Sequence, residues 1–172
     1  AASDVYKRQF RGVDTLMDVT ACAFTTYWAL TEVSDPIGNT IEFGYLKDSG
    51  TTYLEEILYG GNRNSSGTLV IEHPFKVSFS LSARPRATVG FGSGVEAVLG
   101  LKVDGIDVWS RPDTGTGFQL VRSYVLTYET SSTGDELLLK SVALAGAPTQ
   151  EFVYSTNELQ RRRVAPDEDG LG

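Results

Sequence analysis

The sequence predicts an all-β protein in which antiparallel hairpins follow one another as a meander and form curved strips of sheet. Short stretches with strand-like alternation recur along the chain, separated by turn-forming residues. The composition agrees: eight Tyr and eight Phe favour strands, and 18 Gly favour the turns between them. A hairpin unit within residues 27–59 is the clearest single example.

The first turn of this unit comprises residues 35–39. Pro36 fixes its own φ, Gly38 can adopt a left-handed conformation, and the side chains of Asp35 and Asn39 can bond local backbone amides. Beyond the turn, alternate residues fall on one face of the sheet. The apolar ones are Ile41, Phe43 and Tyr45. The unit therefore predicts antiparallel sheet with one apolar face.

A series of strand candidates follows from the alternation. In chain order they are Thr26–Ser34, Thr40–Leu46, Tyr53–Tyr59, Thr68–Glu72, Lys76–Ser82, Val98–Val103, Asp107–Ser110, Leu120–Thr130, Glu136–Ala145 and Gln150–Tyr154. Apolar side chains occupy both faces of the candidate at 120–130, as in a strand covered on both sides. Residues 14–24 could form a short helix, although their Thr and Val content disfavours it.

Turn-forming residues separate these candidates. Segments 60–67 and 111–117 have loop composition and little to bury. Residues 90–94 are interpreted as a glycine-rich bend and not as a phosphate-binding loop, because no Lys-Ser/Thr or helix follows them. Residues 104–107, Asp-Gly-Ile-Asp, are interpreted as a hairpin turn; a calcium loop would need further oxygen ligands at regular spacing.

Two parts of the chain carry a resemblance to a known family. Residues 28–60 read W-x-L-x-x-V-x-D-x-x-G-N, then I-x-F-x-Y and Y-L-x-x-I-x-Y-G, and residues 121–142 contain V-R-x-Y-x-L-x-Y-E and L-x-S-V. The residues that define the motif are Trp28, Asp35, Gly38, Asn39, Phe43, Tyr45, Tyr53, Tyr59, Tyr124 and Tyr128. The order resembles YD-repeat (Rhs-like) proteins, and most closely the SpvB/TcdB-type B component of bacterial insecticidal toxin complexes. The resemblance covers residues 26–154.

The resemblance implies a structural function. Such proteins build a hollow shell from long strips of antiparallel sheet, and the shell holds a toxic C-terminal polypeptide until delivery. This chain would then be a segment of an Rhs-type shell wall. Its partners would be other segments of the same large polypeptide or toxin-complex subunits, and it would be secreted or at the cell surface. The resemblance implies no catalytic residue, cofactor or metal.

Composition excludes several classes of function. The net charge of −7 argues against nucleic acid as a partner, because phosphate binding needs a basic face. Cys22 is the one cysteine in the sequence, so no internal disulfide can form. No run of about 18 apolar residues predicts a membrane-spanning helix, so we expect no membrane insertion by this segment.

The ends of the chain differ from its middle. Residues 1–9 resemble a translated sequencing adapter and are interpreted as non-native, and residues 10–25 form a poorly defined lead-in. The β-rich segment is expected at 26–156. Residues 157–172 are charged and aperiodic, which predicts a tail or linker, and the triple Arg at 161–163 is interpreted as part of it. The chain is expected to be a fragment.

The sequence nominates no catalytic constellation, so we predict that the chain is not an enzyme. His73 is the one histidine and is interpreted as an imidazole on an edge strand, while Cys22 is interpreted as a packed thiol. Glu55 and Glu56 are adjacent on a strand and point to opposite faces, so they cannot act as a pair.

An alternative is a freestanding β-sandwich that recognises a glycan or a surface protein. Trp109 would supply a ligand contact, because Ser110, Arg111 and Pro112 place it at the mouth of a loop. Core packing is the competing role for Trp109 and for Trp28. This alternative predicts two sheets that close on each other.

Overall fold

A computed structural model describes residues 7–12, 28–91, 96–112, 117–132, 134 and 136–154. The strands within these ranges are all antiparallel and belong to one sheet, and none of the described residues is helical. The predicted all-β antiparallel fold is therefore confirmed. The candidate helix at 14–24 lies outside the described residues.

Ten strands form the sheet. They are β1 Lys7–Gly12, β2 Trp28–Ser34, β3 Asn39–Asp48, β4 Thr51–Arg63, β5 Leu69–Ile71, β6 Phe75–Gly90, β7 Ala97–Ser110, β8 Gln119–Thr130, β9 Leu137–Leu144 and β10 Gln150–Glu151. Their order is β1-β2-β3-β4-β6-β7-β8-β9-β10, with β5 beside β4 off this path. Apart from that detour, each strand pairs with the one that follows it in sequence, as a meander requires.

Strand β1 was not predicted. It pairs with β2 from Lys7 opposite Ser34 to Gly12 opposite Trp28, and its first residues belong to the segment that we interpreted as adapter-derived. The origin of residues 1–9 stays a prediction.

The predicted hairpin turn at residues 104–107 is wrong, because β7 runs unbroken through it. Gly105 pairs with Ser80 of β6 on one side and with Val125 of β8 on the other. A residue with strands on both sides cannot be a turn. The pairing register of β6 and β7 shifts at Asp104, where β7 forms a β-bulge. The Asp-Gly pair therefore marks a bulge and not a turn.

The predicted loop at residues 60–67 begins too early. Strand β4 continues to Arg63, and the register with β3 shifts at Gly60, which has φ +82°. A positive φ is accessible to glycine at little cost, so the chain forms a bulge there and stays in the sheet. The turn begins after Arg63, where the side chain of Asn64 accepts hydrogen bonds from the amides of Ser66 and Thr68.

The sheet bends so that β4 and β7 touch, although β6 lies between them in the strand order. The Tyr53 hydroxyl accepts hydrogen bonds from the amides of Gly100 at 2.9 Å and Leu101 at 3.2 Å. At the same place the Val98 amide donates to the Ser49 carbonyl at 3.2 Å. These hydrogen bonds fix the β3–β4 turn to the start of β7. They hold the sheet in the curved shape that the sequence predicts.

Very little of the described sheet is buried. Among the apolar side chains described within residues 29–154, those of Ala29 and Tyr53 are buried. The two facing sheets expected of a β-sandwich are not present among the described strands, because these strands form a single layer. The alternative architecture is therefore corrected to an open sheet.

Candidate functional site

The candidate site is a face of the sheet, which we call the open face. Residues paired across antiparallel strands point to the same side, so the register defines its members. Three rows cross the sheet, namely Val33, Ile41, Tyr59 and Phe75; then Phe43, Ile57, Val77 and Val108; then Phe79, Ile106, Tyr124 and Leu144. Together the rows join seven strands into one apolar surface.

No described residue covers the open face. Ile41 is 39% exposed and Phe75 is 42% exposed, and no side chain of the three rows is fully buried. The rings of Tyr59 and Phe75 stack with centroids 5.2 Å apart, so aromatic packing orders this surface without removing it from solvent. A contiguous exposed apolar surface is typical of an interaction site, which makes the open face the candidate site.

The motif turn positions one end of this face. The side chain of Asp35 accepts hydrogen bonds from the amides of Ile37 at 3.0 Å and Asn39 at 2.8 Å, and from the Asn39 side-chain amide at 2.7 Å. Burial would raise the pKa of Asp35, but these hydrogen bonds outweigh burial and hold the pKa below its ordinary value.

Gly38 allows this turn to pack against β4. Its φ is +91°, and its carbonyl accepts a 2.8 Å hydrogen bond from the Arg63 amide. A Cβ at this position would collide with the Arg63 carbonyl oxygen. The Asn62 side chain also donates to the Ile37 carbonyl at 3.1 Å. The predicted roles of Asp35, Gly38 and the turn thus have a local physical basis.

Two of the motif tyrosines link neighbouring strands through their hydroxyl groups. Tyr45 donates to the Leu30 carbonyl at 2.7 Å, and Tyr128 donates to the Val103 carbonyl. Burial raises the pKa of Tyr45. Burial also raises the pKa of Tyr128 against the opposing effect of Lys102. Both hydroxyls therefore remain protonated donors at neutral pH.

Trp28 and Trp109 lie on different strands. Trp28 is the first residue of β2. Trp109, on β7, faces away from the open face: its indole N–H donates to the Ser78 hydroxyl at 2.8 Å, and the Lys76 ammonium lies 5.2 Å from its ring centroid. Strands β2 and β7 are not neighbours in the sheet.

The sequence missed a polar node behind the open face, which we call the histidine node. His73 is 5% exposed and Thr40 is 1% exposed, and their side chains are 3.1 Å apart. Glu42 lies 3.8 Å from the same imidazole nitrogen and forms an ion pair with Arg63. The interpretation of His73 as an edge-strand imidazole is therefore wrong: it lies between β5 and β6 and packs inward.

Gly61 explains why the imidazole fits there. A Cβ at Gly61 would lie 2.7 Å from two atoms of the His73 ring, so only glycine leaves room for it. Alternation in the sequence could not reveal this contact, because it joins residues from β3, β4 and the segment before β6. In the sequence, the adjacent glycines Gly60 and Gly61 and the later His73-Pro74 pair were the features that could have indicated this contact.

The described residues offer no metal centre and no spanning helix. No group of three or more His, Cys, Asp or Glu side chains comes together among them. Across the same residues, no helix is long and apolar enough to cross a membrane.

The fold defines a class: a single-layer, bent antiparallel meander with an uncovered apolar face. No protein-family model matches the sequence, and no curated protein matches it. Several solved structures do match this chain. The N-terminal domain of effector protein SpvB from Salmonella typhimurium strain LT2 matches with a TM-score of 0.62 and 18% identity, over 86% of this chain and 58% of that one.

Two further matches come from Tc toxins. A mutant Tc holotoxin pore from Photorhabdus luminescens has a TM-score of 0.56 and 17% identity, and the TcdB2-TccC3-Cdc42 crystal structure has a TM-score of 0.53 and 16% identity. Each covers 68% of this chain and 8% of the other. At such identities the likeness shows a shared fold. This chain spans little more than half of the SpvB domain and a small part of the toxin chains.

Proposed function

We propose that this chain is a wall segment of a toxin-complex-like shell, and that its function is structural. The observation that carries the proposal is the open face, an apolar surface with no covering layer among the described residues. A sheet that functions alone would bury this surface against a second layer. A sheet that functions as wall leaves it for neighbouring segments or for contents.

Contact with a neighbouring segment across the open face would stabilise an assembly. Covering apolar area contributes about 25 cal/mol per Å², so each 100 Å² covered by a neighbour would stabilise the assembly by about 2.5 kcal/mol.

The sequence resemblance supports the finer parts of the proposal, and the shared fold is compatible with them. The shell would enclose a toxic C-terminal polypeptide that lies outside this chain. Its partners would be other segments of the same large polypeptide or toxin-complex subunits, and it would be secreted or displayed at the cell surface. The segment itself would carry no catalytic residue and no cofactor.

A pair of surface variants tests the wall function. The double variant Ile41→Lys with Phe75→Lys places two charges on the open face, and Val125→Lys places one on the opposite face, where Val125 is 54% exposed. We expect the unmodified chain to self-associate in sedimentation velocity and to bind an apolar dye. The open-face variant should lose most of both signals, and the Val125 control should keep them.

A monomeric unmodified chain that binds no dye would contradict the wall proposal. Equal effects of the open-face and control variants would contradict it as well, because general charge would then explain the change. Circular dichroism of each variant establishes that the β-structure is retained.

A further inference from the structure

The open face ends in a polar corner at the place where β7 ends and β8 begins. Ser110 and Gln119 continue the first row beyond Phe75, and Arg122 continues the second row beyond Val108. The Arg122 side chain is exposed. Within strands β2 to β9, the three rows and these extensions contain no Asp or Glu, and Arg122 is their one charged side chain.

A β-bulge in β8 determines which side chains share this face with Arg122. Trp109 pairs with Leu120 and Val108 pairs with Arg122, so Val121 is the extra residue of the bulge. In a regular strand Leu120 and Arg122 would lie on the same face. The bulge instead turns Leu120 to the opposite face and leaves Arg122 beside Val108. Bulges are common next to functional sites, where they re-aim a side chain.

Arg122 has no ion-pair or hydrogen-bond partner among the residues that the structure describes. The side chains beside it on β8 are neutral, namely Gln119 in the first row and Tyr124 in the third. Covering a guanidinium without pairing it is costly, whereas a paired arginine is a frequent hot spot of an interface. A partner that covers this corner therefore needs an anionic group there.

We propose that the occupant of the open face is a neighbouring polypeptide segment that has an apolar packing surface and presents one carboxylate to Arg122. The proposal rests on the wall function and specifies the chemistry of the neighbour. The apolar rows supply contact area, and the pair between Arg122 and the carboxylate fixes the register. A neighbour displaced by one strand would leave the guanidinium covered and unpaired.

A second copy of this chain is the less suitable occupant. Two open faces stacked on each other would cover Arg122 of both copies, and the three rows offer it no carboxylate. A charge within an apolar surface is a known device against association with the wrong partner. Arg122 therefore limits self-association of the open face and favours a neighbour of different composition.

Two amphiphiles that share one alkyl chain test the preference for a carboxylate. Octanoate carries the carboxylate and octanol does not, and each is used below its micelle-forming concentration to displace the neutral dye Nile red from the full chain. We expect Arg122→Gln to weaken octanoate binding by about five-fold, the upper end for an exposed charge pair, and to leave octanol binding unchanged.

Lys140→Gln is the matched control for the loss of a cation. The Lys140 side chain is 60% exposed, and Lys140 belongs to none of the three rows. This variant should bind both amphiphiles as the original chain does. Circular dichroism of each variant establishes that its β-structure is retained.

Sedimentation velocity tests the effect of Arg122 on self-association. Arg122→Leu removes the charge from the open face, and it should associate about five-fold more tightly than the original chain. Gln119→Leu adds the same side chain to the same face without removing a charge. Its association should be weaker than that of Arg122→Leu.

Three outcomes would overturn this proposal alone. In the first, Arg122→Gln weakens octanoate and octanol equally, or Lys140→Gln weakens octanoate as much. In the second, Arg122→Leu associates no more tightly than Gln119→Leu, which would make a second copy an equally good occupant. In the third, Asp113→Asn binds octanoate more tightly than the original chain, which would show that a carboxylate between β7 and β8 already pairs with Arg122.

A different result would overturn the wall function and this proposal with it. In that case the unmodified chain neither associates nor binds Nile red or octanol, so the open face has no affinity for apolar groups. The two failures are distinguishable, because the first three outcomes leave the affinity for Nile red and octanol intact.

Discussion

At the scale of single residues, the turn at 35–39 is organised by one carboxylate. Asp35 receives hydrogen bonds from two backbone amides and from the Asn39 side chain. A carboxylate with several donors is favoured in its charged form, so protonation removes part of the stabilisation of the turn. The hairpin should therefore be less stable at low pH, where Asp35 is protonated.

We predict that Asp35 makes the chain less stable in acid. Because the pKa of Asp35 is lower in the folded chain than its ordinary 3.8, its contribution is fully present above pH 3.8. That contribution is lost as the pH falls through the lowered folded value. Urea unfolding between pH 6 and pH 2 measures this, with Asp35→Asn as the isosteric control.

Comparing the original chain with Asp35→Asn isolates the contribution of Asp35. The comparison is needed because hydrogen bonds from Lys102 and Ser82 also lower the pKa of Asp104. The free-energy difference between the original chain and Asp35→Asn should shrink as the pH falls. A difference that stays constant from pH 6 to pH 2 would refute the coupling.

At the scale of elements, the histidine node joins residues that are far apart in the sequence. Thr40 comes from β3, Gly61 from β4, and His73 from the segment between β5 and β6. Thr40 and the imidazole satisfy each other in a place where water is excluded. An unpartnered group there would cost about 1–3 kcal/mol. The node therefore fixes the register of β3 and β4 against the start of β6.

We predict that Gly61→Ala destabilises the chain by about 1–3 kcal/mol, because the new Cβ would lie 2.7 Å from the imidazole of His73. Gly90→Ala is the matched control, since a Cβ there meets nothing within 4 Å, and its effect should stay within about 0.5 kcal/mol. Urea unfolding of both variants provides the comparison. Equal effects would show that the His73 contact is not tight.

The elements also show which features a sequence can predict. The hairpin around residues 35–39 was predictable because its turn chemistry is local. The continuity of β7 through Gly105 and the burial of His73 were not, since each depends on a neighbouring strand that lies far away in sequence. Alternation revealed Ile41 and Phe43 of the open face but missed Phe75 and Ile106, which lie outside the predicted strands. It also could not reveal that no second layer covers the face.

At the scale of the whole molecule, the described sheet leaves an apolar face exposed instead of burying it in a closed core. Its curvature is fixed by polar contacts such as those of Tyr53 with the amides of Gly100 and Leu101, so the shape does not require a closed apolar core. The strands are held by their ladders and by these cross-links. Such a molecule keeps a defined shape while its apolar face stays available to neighbours.

The same property predicts how the chain unfolds. The denaturant dependence of stability, the m-value, is proportional to the surface exposed on unfolding. Because the open face is exposed in the folded chain as well as in the unfolded one, unfolding adds less new surface than it does in a compact protein of the same length.

We therefore expect a lower m-value in urea than that of a compact protein of 172 residues. The measurement is best made on the double variant Ile41→Lys with Phe75→Lys, at low concentration, because association would bury the open face and raise the m-value. The unmodified chain at higher concentration should give the larger m-value, since association has to be undone as well. A full-sized m-value for the dilute double variant would mean that residues outside the described ranges already cover the open face, and the wall function would then lose its main support.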